Sequence, residues 1–410
     1  MKILVVCQHY YPEPFRISDI CEELVRAGHE VLVVTGTPNY PEGKIYAGYK
    51  FGQRKNETIN GVRVHRCFTI GRRKGIIFRL LNYYSFAISS TLHTLFMKEH
   101  FDVVFINQLS PVMMANAGIA YKKKYGTKTV LYCLDLWPES LTVGGIKKGS
   151  LPYRIFHKIS ERIYRSADEI CISSKTFAKY FEEEFGITDT HYLPQYSEDI
   201  FDPANCKKVP DEFVDLMFAG NVGKAQSIET IIYAAEKTQS ITNLRWHIVG
   251  DGSELQNVQH LAETLKLKNV IFHGRQSLAD MPKYYAMADA MLVTMQKNDV
   301  ISMTLPGKMQ TYMAAGKAVL GSIGGETAEV IKEAECGLCC PPENPEALAA
   351  IAVDYMTKKT DCNFEENSSK HYQATYSKDV VVEKLLNILE GKSTERRCNK
   401  NFTIPRKSII

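Results

Sequence analysis

The chain has 410 residues, more than one hydrophobic core usually organises, so two domains are expected. With 45% hydrophobic and 23% charged residues it reads as a soluble globular protein, which excludes general disorder. The formal net charge of +4 hides an imbalance: residues 71–179 hold 17 Lys/Arg against 7 Asp/Glu, so the remainder is acidic. A basic region of that kind fits an anionic lipid surface, while no zinc-finger spacing or RNP-like aromatic motif supports nucleic acid.

A short apolar strand over residues 3–7 opens the chain; it is too short for a signal peptide and gives way to Gln8-His9. Ile17, Ile20, Cys21, Leu24 and Val25 recur at helical spacing, and Gly28 is placed to stop that helix. Strands over 31–35, 103–106, 129–133 and 169–173 make the first half a parallel sheet with helical crossovers. The uncharged stretch 80–97 is too rich in Asn, Ser, Thr and His to cross a bilayer. Leu81, Tyr84, Ile88, Leu92 and Leu95 share one face there, which predicts a partly buried helix.

A second series of strands is expected over 216–219, 246–249, 270–272, 290–293 and 318–320, joined to the first around residues 191–201. Val381, Leu385, Ile388 and Leu389 mark a last helix. The fold class is therefore α/β: two Rossmann-like domains facing a cleft, residues 1–193 and 194–371. A helix over 372–390 is expected to return to the first domain, with a basic tail over 391–410. The eleven cysteines are scattered, and Cys7, Cys133 and Cys171 sit in apolar strands, as thiols in a reducing compartment do. Cys336 and Cys339 are spaced as a CxxC but lack the second pair a zinc site needs.

Glycines close three strands of the second series. The loops read Phe218-Ala219-Gly220-Asn221-Val222-Gly223-Lys224, then Val249-Gly250-Asp251-Gly252-Ser253, then Phe272-His273-Gly274-Arg275. Glycine permits tight turns and lets a ligand approach the backbone. A fourth segment, Leu305-Pro306-Gly307-Lys308-Met309-Gln310-Thr311-Tyr312, presents a cation as a helix begins. Free N–H groups and about half a positive charge at a helix start, joined by a lysine, make a cradle for phosphate or diphosphate.

Taken with Gly28-His29-Glu30-Val31, Thr35-Gly36-Thr37-Pro38-Asn39-Tyr40-Pro41-Glu42-Gly43 and Asp135-Leu136-Trp137-Pro138-Glu139-Ser140, these loops give the chain a family resemblance. It resembles the GT-B glycosyltransferases of family 4, and more narrowly the WbuB-type enzymes of bacterial O-antigens and capsules. The resemblance runs to about Leu389. It implies a retaining hexosyltransferase that takes its sugar from a UDP-sugar, needs no cofactor, and binds the nucleotide in the second domain. By position, Gly220, Asn221, Gly223, Lys224 and Gly250 would approach the diphosphate, and Gly274 and Arg275 the base. Pro306, Gly307 and Lys308 would meet the phosphates, with Thr311 and Tyr312 near the ribose or sugar. The implied donor is a UDP-linked acetamido sugar, such as the 6-deoxy sugar N-acetylfucosamine. The implied acceptor is a saccharide on undecaprenyl diphosphate at the cytoplasmic face of the membrane.

The chain departs from the family pattern at several positions. Asn221 and Gln226 stand where many members carry Arg and Lys, and Met303 and Thr311 replace a pair of glutamates. Leu134 replaces a histidine, although Asp135 beside it is present. No Asp-x-Asp occurs, so no metal is expected, and Lys224, Lys308 and helix starts are left to steady the departing diphosphate.

In the first domain Asp135 follows an apolar strand directly, where it either positions substrate or braces its loop. Trp137 is a sugar-stacking platform or a core residue, and Glu139 reads as structural. His9, Tyr11 and Glu13 lie on the loop expected at the cleft. Arg72, Arg73, Lys74, Lys147 and Lys148 lead into amphipathic stretches and are the candidates for docking on an anionic leaflet. A hydrolase or epimerase of the same fold, or an inactive membrane scaffold, remains an alternative. A dinucleotide oxidoreductase lacks its Gly-x-Gly-x-x-Gly after the first strand.

Overall fold

The computed structural model describes residues 1–73, 75–143 and 145–392. The chain divides into two compact units, one formed by Met1–Leu193 with the chain from Val382, the other by Pro194–Val381. In the first unit the strands are β1 (Lys2–Val6), β2 (Glu30–Gly36), β3 (Asn56–Ile59), β4 (Val62–Cys67), β5 (Val103–Gln108), β6 (Lys128–Cys133), β7 (Glu169–Ile172) and β8 (His191–Tyr192). They form one sheet in the order β3-β4-β2-β1-β5-β6-β7-β8, with only β3 antiparallel to its neighbour. Ile3 lies opposite both Val31 and Val103, so the order reverses at β1. Cys7, Cys133 and Cys171 are buried along this sheet. The helix Lys378–Leu389 closes the described chain, and Lys128 Nζ donates to the Ile388 carbonyl at 2.8 Å.

Strands β3 and β4 were not anticipated. Their signal is present: Asn60-Gly61 joins Asn56–Ile59 to the alternating Val62–Cys67, with φ of 49° and 85° at the two turn residues. That is the two-residue hairpin turn for which Asn-Gly is the strongest short-range cue.

The helix Ile76–Phe96 corrects a second expectation. Its apolar stripe faces outward: Leu81, Tyr84, Ile88, Leu92 and Leu95 are all exposed. The buried side holds Asn82, Phe86, Ser90 and Thr94. Each polar group there is satisfied. Asn82 Nδ2 donates to the Ile70 carbonyl at 2.6 Å, Ser90 Oγ to Phe86 at 2.6 Å, and Thr94 Oγ1 to Ala117 at 2.9 Å.

The second unit holds β9 (Val214–Ala219), β10 (Leu244–Val249), β11 (Val270–Gly274), β12 (Ala290–Thr294), β13 (Ala318–Ser322) and β14 (Gly337–Cys340). All six are parallel, in the order β11-β10-β9-β12-β13-β14, which reverses between β9 and β12. The register of β9 with β12 holds only at Leu216↔Ala290 and Met217↔Met291. Beyond Met217 the two strands part, and open α/β sheets bind ligands in the crevice outside such a reversal. One face of the sheet packs Phe218, Trp246, Ile248 and Leu292 against helical residues such as Ile231 and Leu348.

At the amino end of β9, Asp215 collects partners. Arg245 donates to it at 2.6 and 2.8 Å, Lys208 at 2.8 Å, and His247 Nε2 lies 2.9 Å away. Burial raises this carboxyl, but His247, Arg245 and Lys208 together outweigh it and hold the group well below the usual carboxylate range. Its stabilising contribution is therefore complete above the unfolded value of about 3.9 and is lost as pH falls through the lower folded value. Asp215→Ala is expected to cost roughly 1.5–3 kcal/mol at pH 7, because Arg245 and His247 lose their closest carboxylate while Lys208 keeps Asp289 and Asp211. Urea titrations of parent and variant should converge only below about pH 4; a constant gap down to strong acid would place the effect elsewhere.

Candidate functional site

The loops after β9, β10 and β11 are stitched to one another through their backbones. Gly220 N–H donates to the Val249 carbonyl and Gly250 N–H to the Gly274 carbonyl, each at 2.9 Å. Gly220 and Gly250 adopt φ of 141° and 143°, and a Cβ on Gly250 would lie 1.8 Å from the Gly220 oxygen. No other residue fits that approach, which is the physical reason for the glycines read from the sequence. Asn221 Nδ2 and Gly223 N–H both donate to Gln226 Oε1, at 3.1 and 3.2 Å. Gln226 thus braces the loop with a neutral side chain. Lys224 and Arg275 are exposed on their loops.

Pro306 caps the helix Gly307–Ala314, which sets Lys308 in its first turn. The lysine folds inward. Its Nζ sits 3.7 Å over the Phe218 ring, and a Cβ at Gly220 would lie 3.1 Å from it. The residue as a whole is half-buried, yet the ammonium nitrogen is sealed from solvent and has no hydrogen-bond partner among the described residues. Desolvation alone lowers its pKa to about 7. The ammonium thus stands beside the Gly220 loop and a helix start, with desolvation uncompensated by a partner among the described residues.

Tyr312, expected near ribose or sugar, does something different. It is fully buried, and its hydroxyl accepts from Ala219 N–H at 3.1 Å while donating to the Ala219 carbonyl at 3.0 Å. One phenol therefore satisfies the last residue of β9 where β12 has pulled away. Thr311 Oγ1 donates to the Gly307 carbonyl at 3.2 Å within its own helix. Both residues hold the helix that carries Lys308. Among the described residues no group of three His, Cys, Asp or Glu side chains is arranged to hold a metal ion.

In the first unit the loop after β1 is locked by two buried groups. His9 Nδ1 lies 3.1 Å from both carboxylate oxygens of Glu13, and a carboxylate only accepts, so Nδ1 carries the proton. Glu13 also accepts from the Asn39 and Tyr40 N–H groups at 2.8 and 2.7 Å. His9 stacks on Phe15 with centroids 4.7 Å apart, and its Nε2 has no hydrogen bond among the described residues. Arg66, missed in the sequence, donates to the Tyr11 carbonyl at 2.6 Å and to Glu57 at 2.8 Å, and the Tyr11 ring is exposed.

Asp135 accepts from Ser110 N–H at 3.0 Å, and burial raises its pKa against that bond. Trp137 is 3% exposed, donates from Nε1 to Ser110 Oγ at 2.7 Å and meets Phe156 edge-on. It is a core residue rather than a stacking platform. Glu139 is buried and accepts from Tyr153 at 2.6 Å. Lys148 pairs with Glu184 at 2.8 Å and Glu139 at 3.3 Å, so its charge is already compensated. Arg72 and Arg73 lie over Tyr83 and Phe78, Lys147 is exposed, and Lys74 falls outside the described residues.

Two parallel sheets, each reversing order at a central strand, define the GT-B class. Residues 15–194 match the family described as Glycosyl transferase 4-like domain, and residues 205–371 match Glycosyl transferases group 1. The Escherichia coli protein WcaI, described as a colanic acid biosynthesis glycosyl transferase, is 26% identical over 95% of this chain and all of its own length. WbjE of Pseudomonas aeruginosa, described as a glycosyltransferase, is 27% identical over 69% of this chain and 73% of its own. Among solved structures, sucrose-phosphate synthase of Thermosynechococcus elongatus superposes with a TM-score of 0.71 at 15% identity, covering 95% of this chain and 98% of that one. HepE of Anabaena, solved with UDP, gives 0.70 at 14% identity over 95% and 100%. The chain belongs to the group 1, family 4 glycosyltransferases and is an enzyme of the glycosyl-transfer class.

Removing the Tyr312 hydroxyl leaves two buried backbone groups without their partner. Tyr312→Phe is expected to destabilise the protein by roughly 1–3 kcal/mol in urea titration. Unchanged stability would mean that the hydroxyl is not the brace at the end of β9.

Proposed function

We propose that the protein moves a sugar from a UDP-sugar to a lipid-linked saccharide, with retention and without a metal ion, during assembly of a bacterial surface polysaccharide. The observation that carries the reading is the sealed, unpaired Lys308 ammonium beside Gly220. Breaking the bond between anomeric carbon and diphosphate leaves charge on the departing oxygens. A preorganised cation in a dry site steadies that charge far more than one in water. The UDP bound by HepE and the colanic acid context of WcaI support the nucleotide and the pathway class.

In this reading the second unit holds the nucleotide through Lys308 and the loops at Gly220, Gly250 and Gly274, with Arg275 near the base. The first unit receives the acceptor. There His9, its Nδ1–H held by Glu13, keeps Nε2 as the nitrogen able to accept a proton, and Asp135 orients the acceptor hydroxyl. The donor is an N-acetylated hexosamine, with UDP-N-acetylfucosamine the first to assay, and the acceptor sugar is carried on undecaprenyl diphosphate. The enzyme works in the cytoplasm, peripherally on the inner face of the membrane. The outward apolar stripe of the helix Ile76–Phe96, with Arg72 and Arg73 at its start, supports that location. Among the described residues no helix is long and apolar enough to cross a membrane.

Lys308 supplies the test. A diphosphate placed beside it raises a pKa that stands near 7 without ligand. Above that pH, binding must take up a proton, so UDP affinity should fall as pH rises from 7 to 9. Calorimetry at pH 8 in buffers of different ionisation enthalpy should register proton uptake, and Lys308→Met should abolish it. The same variant is expected to lower turnover by about 10²-fold or more. If Lys308→Met bound UDP and turned over like the parent, the anion-site reading would fail.

A further inference from the structure

The outward stripe of the helix Ile76–Phe96 borders a groove of about 470 Å³, with Tyr84, Ile88 and Leu92 on that side and Met113 and Ile119 opposite. The volume lies within the range of about 300–1,000 Å³ typical of small-ligand sites. Its lining includes two cations, Lys123 and Arg162, and no carboxylate. Both are exposed, and neither forms an ion pair among the described residues. Their neighbours Lys122 and Arg165 do, with Asp168 and Glu161. An apolar groove whose free charges are all positive complements a hydrocarbon chain that ends in an anion.

We propose that this groove binds one acyl chain of an anionic phospholipid, with the lipid phosphate held between Lys123 and Arg162. Asn116 and Lys123 line it from one face of a helix, seven residues and so about 10 Å apart. Lys123 stands at the end leading into β6, and Arg162 at the end leading into β7. Both ends belong to the amino edge of the sheet. Asp135 follows the opposite end of β6, about 20 Å away along six residues. A lipid-linked acceptor with its diphosphate on these cations would hold its sugar far from Asp135. The occupant is therefore a bilayer lipid that seats the enzyme, not the substrate. A protein partner filling the groove with apolar side chains would leave both cations without a counter-charge.

The inference rests on the membrane reading of the proposed function, and a monomeric lipid separates the two. Full-length protein is titrated with palmitoyl lysophosphatidylglycerol below its micellar concentration, and binding is followed by native mass spectrometry and calorimetry. One lipid per chain is expected, with lysophosphatidylcholine at least tenfold weaker and inorganic phosphate not bound over the same range. Ala120→Trp, which fills the groove, should abolish binding; Lys123→Ala with Arg162→Ala should weaken it at least tenfold. Melting temperature and UDP affinity, read on each variant, verify that the fold is kept. Absence of saturable binding, or binding indifferent to both variants, overturns the proposal. So does self-association that Ala120→Trp removes while no lipid binds, which would assign the groove to a second copy of the chain. Flotation with anionic vesicles that persists without lysolipid binding would sink the groove and spare membrane docking. Lysolipid binding without flotation would instead sink docking.

Discussion

The parting of β9 from β12 is the constraint on which the second unit's site depends. Once the ladder ends at Met217 and Met291, the last residues of β9 lose one neighbour and need another. The helix Gly307–Ala314 supplies it through Tyr312, whose hydroxyl answers both backbone groups of Ala219. The same helix brings Lys308 over Phe218, four residues before the tyrosine and on the same face. Structural repair and the proposed anion contact thus share one element, and the buried hydroxyl fixes where the ammonium stands. A cation above an aromatic face recovers part of its lost hydration, although desolvation still lowers the lysine's pKa to about 7.

Buried charge in this unit falls into two kinds. Around Asp215, cations and carboxylates meet at hydrogen-bond distance, so the cluster is internally complete and holds β9, β10 and the start of β12 together. At the other end of β9, Lys308 has no counter-charge among the described residues. An internally complete cluster has nothing to offer a ligand; an incomplete one has. Gln226 sharpens the contrast, because the side chain that braces the Gly220 loop is neutral. In the proposed function the electrostatic task therefore falls on one nitrogen.

Much of this was legible in the sequence because it is local. Strand period, glycine at strand ends and a lysine opening a helix need no knowledge of the tertiary fold, and the loops at Gly220, Gly250, Gly274 and Lys308 followed from them. The Asn60-Gly61 hairpin is equally local, a two-residue turn between short alternating strands. Other features were not legible. Tyr312 meets Ala219 across 93 residues, and nothing near either predicts the pairing. His9 and Glu13 are four apart, but in an irregular loop, where that spacing implies no contact. For Trp137 the sequence leaves a stacking platform and a core residue equally open, and burial decides for the core; Glu139 is buried, in keeping with its structural reading.

The helix Ile76–Phe96 shows the limit of periodicity most clearly. A stripe of apolar side chains reveals that a helix has two faces, not which one meets the core. Here a mixed face is inside, with Tyr83, Phe86 and Ala87 buried beside Asn82, Ser90 and Thr94, and the three polar side chains all find backbone carbonyls. The outer face is covered only in part, with Tyr84 39% and Ile88 58% exposed. Scattered apolar residues on a surface need no explanation, but five at helical spacing on one exposed face, bordering a groove with unpaired cations, form a continuous patch. Because the fold covers only part of that patch, its apolar remainder is the surface on which the proposed lipid contact rests.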